Sequence, residues 1–134
     1  ELILEKNFFV ERVLSGDAYR GLSEEEMTIY RKPFLEHGES RRPTLTWPRQ
    51  IPIDGKPENV VKICRNYEKF MSETKIPKLF INAEPGSILV GNQREKARKW
   101  LNQKEVTVEG GHFIQEISPH QIGSALSDFL GDLD

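Results

Sequence analysis

The chain has 134 residues, a formal net charge of −2 and a single cysteine. It is long enough for one domain or a large part of one, and its interspersed charges give no electrostatic reason to expect a nucleic acid or an anionic membrane as partner. A lone thiol excludes an internal disulfide framework, and no apolar run approaches the about 18 residues of a spanning helix.

Residues 1–14 are expected to be helical, because Leu4, Phe8, Phe9, Val13 and Leu14 recur at roughly helical spacing. A helix already under way at residue 1 implies polypeptide upstream, so targeting is not legible here; a cytoplasmic location is the expectation. Ser23 with Glu26 three residues later forms a capping box, and the helix it opens runs through Met27 and Tyr30 until Pro33 interrupts it. Residues 41–53 then hold three prolines within ten positions, a density expected to exclude a helix and a central strand. An extended, stiff arm lying against other structure is the expectation.

The texture changes after residue 53. Asp54 or Gly55 and Pro57 open a helix whose stripe is Val60, Val61, Cys64, Tyr67, Phe70 and Met71; Cys64 reads as a small apolar residue on that face. Residues 78–82 (KLFIN) read as a buried strand, and Ala83 to Gly86 as the turn at its end. A helix follows through about Ala97 and Trp100, where Trp100 reads as core. Residues 105–109 alternate as a second strand, Gly110-Gly111-His112 is the loop after it, and Ser118-Pro119 caps a last helix. That helix has the stripe Ile122, Ala125, Leu126, Phe129, Leu130 and Leu133. The order strand–helix–strand–helix implies an α/β fold with parallel strands. Parallel sheets are covered on both faces, so further strands are expected from upstream or from another chain.

In open α/β sheets, ligands bind beyond the carboxyl ends of the strands. Two loops qualify, 83–88 and 109–115, and the second carries His112. An imidazole titrates near operating pH and suits a general base. Position alone is equally compatible with a loop histidine held by a structural hydrogen bond. His37 and His120 read as surface residues. With no His or Cys spacing of the metal-binding kind, no metal is expected, and no phosphate-cradling glycine loop is present.

The stretches RRPTLTWPRQIPI (41–53), IPKLFINAEPG (76–86) and GGHFIQEISP (110–119) resemble haloalkane dehalogenases, and most closely the subfamily with an Asp–His–Glu triad. NFFVERVL (7–14) and LSEEEM (22–27) extend the likeness to nearly the whole chain, and Renilla-type coelenterazine luciferases share much of the pattern. The resemblance implies the C-terminal part of an α/β-hydrolase fold in residues 54–134 and the later part of a helical cap in residues 1–53. It implies that His112 is the catalytic histidine and that Phe9, Val13, Asp17, Trp47, Pro48, Ile51, Ser87, Ile88 and Phe113 line the substrate pocket.

In that family a carboxylate displaces halide from the substrate carbon, and the histidine then activates water to hydrolyse the ester. The nucleophilic Asp, the Trp after it, a halide-binding Asn and the triad acid are expected in an N-terminal segment before residue 1. The implied partners are a small halogenated hydrocarbon and halide ion, with no cofactor. Three positions depart from the family pattern: Asp17 and Ser87 stand where apolar residues are common, and Ile117 where an Asp is frequent. Glu84, at a strand end, is a lesser candidate for the orienting acid. The competing expectations are a coelenterazine-oxidising luciferase and an inactive fragment.

Overall fold

A computed structural model of the chain describes residues 1–17 and 21–133. They fall into two compact units, one formed by residues 1–16 and 21–68, the other by residue 17 and 69–133.

The first unit begins with turns rather than with the expected continuous helix. Asn7 adopts a left-handed conformation, φ 49°, which asparagine tolerates better than most residues. It separates the turns from a π-helical stretch, Phe9–Leu14, that runs into α1 (Ser15–Asp17). Helix α2 (Glu24–Arg31) starts at the expected capping box: Ser23 Oγ accepts from the Glu26 amide at 3.2 Å, and the Glu26 carboxylate accepts from the Ser23 amide at 2.7 Å. At its other end Arg31 grips Glu11 with two parallel bonds of 2.8 and 2.9 Å and also pairs with Glu24. The hydrogen bond from Arg31 is the main reason the Glu11 carboxyl is held below the usual carboxylate range.

Val10, Leu14 and Met27 are the buried apolar residues of this unit. Beside them Arg41 is only 6% exposed. Its guanidinium donates to the carbonyls of Phe34 (2.8 Å), Leu4 (3.1 Å) and Glu5 (2.7 Å). A planar fork with five donors can satisfy several carbonyls at once, so one side chain ties the first turns to the chain that follows α2.

Residues 41–53 are not the extended arm expected from their prolines. They contain a short helix α3 (Arg42–Thr46) and a 3-10 turn at Pro48–Gln50. Pro43 and Pro48 each lie within the first two positions of their turn, where a missing N–H removes no internal hydrogen bond.

Helix α4 (Glu58–Glu73) is amphipathic as expected, yet none of its residues is buried; Cys64, Ile63, Tyr67 and Phe70 are all exposed.

The second unit is built on two parallel strands, β1 (Lys78–Pro85) and β2 (Gln103–Gly110), paired from Lys78↔Gln103 to Pro85↔Gly110. Helix α5 (Gly91–Arg98) connects them and α6 (Pro119–Gly131) follows. Both strands run further than the apolar patterns at 78–82 and 105–109 indicate. Trp100 is half-buried and lies two residues past the end of α5. Val108, Ala97 and Ala125 are buried, and Asn82 sits among the strands with its amide donating to Thr107 Oγ1 at 3.2 Å. Lys78 ties the start of β1 to its surroundings through Nζ bonds of 2.7–2.9 Å to the carbonyls of Thr74, Ile76 and Leu101. No helix among the described residues is long and apolar enough to cross a membrane.

Candidate functional site

The parallel register brings the carboxyl ends of β1 and β2 side by side, and the ladder does not stop there. The Gly86 amide donates to the Gly110 carbonyl at 3.0 Å, so the loop after β1 is fastened to the loop after β2 where both leave the sheet. Gly110 has φ 151°, and a Cβ there would lie 3.1 Å from Ile114 Cγ2. A side chain at 110 would therefore push against the turn that follows.

His112 stands two residues further on. It is exposed, and its ring lies 4.9 Å from that of Phe113 at an interplanar angle of 62°, an edge-to-face arrangement favoured by the ring quadrupoles. Beyond it a 3-10 turn, Ile114–Glu116, brings the chain back. Ser118, expected to cap α6, makes no side-chain cap bond. Its amide donates to the Ile114 carbonyl and its hydroxyl to the Glu109 carbonyl, both at 2.8 Å.

The loop after β1 holds Ser87 and Ile88, both exposed. Arg94 braces it from α5. Its guanidinium donates to the carbonyls of Ala83 (2.8 Å), Pro85 (3.2 Å) and Leu89 (3.2 Å), and to Glu84 Oε2 (3.1 Å). Arg94 is thus the partner the structure gives to Glu84, the lesser candidate for an orienting acid.

In the first unit, Phe9 and Trp47 meet edge to face, with centroids 6.2 Å apart and an angle of 88°. Trp47 is nevertheless 64% exposed. Val13 and Ile51 are exposed and Pro48 is half-buried. Asp17 closes α1, and its side chain lies outside the described residues. The structure therefore joins Phe9 to Trp47 within one unit and His112 to Phe113 within the other.

Sequence patterns did not single out Arg94, and they marked Ser118 only as the cap of α6. An arginine on a short helix rich in charge reads as a solvated side chain, and a serine before proline reads as an ordinary cap. Among the described residues, no group of three or more His, Cys, Asp or Glu side chains converges as a metal set. Chemically, the loop pair offers an accessible imidazole at the end of a parallel sheet, suited to moving a proton to or from a group presented in front of it.

No protein-family model matches the chain. Individual relatives do. The chain is 58% identical over 130 residues to a haloalkane dehalogenase of Sphingobium indicum, covering 97% of the chain and 44% of the relative. It is 48% identical over 135 residues to a haloalkane dehalogenase of Mycolicibacterium smegmatis, covering 99% and 43%. A coelenterazine h 2-monooxygenase of Renilla reniformis is 43% identical over 133 residues, covering 97% and 42%. Among solved structures, an ancestral haloalkane dehalogenase superposes with a TM-score of 0.90 at 39% identity, covering 98% of this chain and 46% of that one. The wild-type protein DBJA gives 0.89 at 37% identity, covering 97% and 44%. The chain thus spans a little under half the length of the relatives it matches. In sequence the chain is similar to haloalkane dehalogenases, and it shares the fold of the corresponding part of these α/β-hydrolases.

Proposed function

We propose that the full-length protein carrying this chain hydrolyses haloalkanes to an alcohol, halide and a proton, with His112 as the base. The single observation that carries the reading is the 58% identity to a haloalkane dehalogenase across 97% of the chain, a span that includes the Gly-Gly-His loop at the end of β2. In this reading residues 1–53 belong to a cap and 54–134 to the main domain.

The chemistry divides into two steps. A carboxylate nucleophile outside these residues attacks the carbon bearing the halogen; the C–O bond forms, the C–X bond breaks, and halide leaves with the electron pair. His112 then takes a proton from water as the water attacks the ester carbonyl. The ester opens to alcohol and carboxylate, and the imidazolium releases its proton to solvent. In this reading Ile88 and Phe113, on the two loops after β1 and β2, supply apolar surface for the alkyl chain, and Ser87 adds a polar position. An apolar wall suits a halogenated hydrocarbon, which has little to offer a hydrogen-bonding site.

The test is halide release from 1-bromobutane and 1,2-dibromoethane by the full-length protein. His112→Phe should still expel one equivalent of halide and then stall, leaving an alkylated protein visible by mass spectrometry. Normal turnover by His112→Phe would remove the histidine from the mechanism.

A second reading is supported by the 43% identity to the coelenterazine h 2-monooxygenase. The higher identity to two dehalogenases ranks it second. Light emission with coelenterazine, without halide release from haloalkanes, would reverse that order.

A further inference from the structure

We propose that Ser118 is a positioning residue that sets the loop carrying His112. The inference rests on the reading of His112 as the base and deepens it.

Ser118 is 1% exposed, the most completely buried polar residue of the second unit. Serine at the start of a helix ordinarily spends its hydroxyl on the helix's own amides. This one turns away from α6 and donates to the Glu109 carbonyl, one residue before β2 ends. Residues 110–117 thus form a loop closed at its base by Ser118, through bonds to Glu109 and Ile114. The same loop is pinned at its entry by the Gly86 amide on the Gly110 carbonyl. Ile114 fits against Gly110, where a Cβ would come within 3.1 Å of it. His112 lies between these fixed points.

An imidazole on a free loop would sample many orientations, whereas general-base catalysis needs its lone pair aimed at one water. Removing the hydroxyl leaves the Glu109 carbonyl without that donor and frees one end of the loop. The nucleophile is held elsewhere, so only the step that uses the imidazole should suffer.

Ser118→Ala and Ser118→Thr are made in the full-length protein, and rapid-mixing kinetics with 1,2-dibromoethane separate halide release from ester hydrolysis. Ser118→Ala should slow hydrolysis about tenfold or more and keep the first halide burst within twofold. Ser118→Thr, which keeps the hydroxyl, should recover most of the loss. Equal slowing of both steps, or of neither, overturns the proposal.

A second readout needs no turnover. The imidazole carbon–proton resonances of His112, assigned by their absence in His112→Phe, should shift or broaden in Ser118→Ala and return in Ser118→Thr. Unchanged resonances overturn the positioning role. If the parent enzyme releases no halide but the resonances respond as described, the loop assignment stands and the dehalogenase reading falls.

Discussion

Replacing Gly86 by alanine tests how tightly the loop after β1 is built. Gly86 has φ +74°, a region that costs a residue with a Cβ about 1–2 kcal/mol. The added carbon would also lie 2.6 Å from Arg94 Nη2, 3.0 Å from the Ala83 carbonyl and 3.0 Å from Val90 Cγ1. Nη2 is held by Ala83 and Pro85, so relieving the clash means giving up at least one bond from a charged donor, worth about 1.5–3 kcal/mol. Together these terms predict a destabilisation of about 3–5 kcal/mol. Gly38→Ala is the matched control: φ is +80° and nothing lies within 4 Å of a Cβ, so only the backbone term of about 1–2 kcal/mol remains. Urea denaturation of both variants in the full-length protein gives the two values, provided the slopes are unchanged. Equal losses at 86 and 38 would refute the claim that Arg94 is fixed in place.

Two further perturbations follow from the arginine contacts. Arg41→Ala strands carbonyls at Leu4, Glu5 and Phe34 that now share one guanidinium, and should cost about 3 kcal/mol or more by denaturant midpoint. Arg41→Lys should restore only part of this, because an ammonium lacks the planar fork. Arg98 holds the Glu105 carboxyl below the usual carboxylate range through a hydrogen bond, at 2.7 Å from Nη2. The folded-state value lies below the unfolded one, so this pair stabilises above the ordinary carboxylate range and its contribution disappears as pH falls through the lowered value. The difference in midpoint between the parent and Glu105→Gln should therefore be present at neutral pH and vanish in acid; a constant difference would count against it.

Sequence patterns captured the element order of the second unit, because β1 and α6 carry clear apolar runs and glycine and proline signals punctuate the chain between elements. The β1–α5–β2–α6 order and the histidine loop were both legible. Residues 41–53 were misread because proline density was counted without regard to position, whereas Pro43 and Pro48 occupy first turns where they do no harm. Residues 1–14 lost their continuous helix to one asparagine with positive φ, which no spacing rule detects. The bracing by Arg94 and the turn of the Ser118 hydroxyl away from α6 were not legible for another reason. Their partners are backbone carbonyls brought close by folding, and a carbonyl leaves no trace in residue identity.

The amide of Gly86 resting on the carbonyl of Gly110 has a consequence for engineering. Grafting a longer or shorter segment into 83–91 would drag the neighbouring histidine segment along, so length is a poor variable for retuning this half of the molecule. Side-chain exchange at 87 and 88, which leaves that main-chain rivet intact, is the permissive route. Swapping the two segments together as one cassette should be tolerated where exchanging either alone is not.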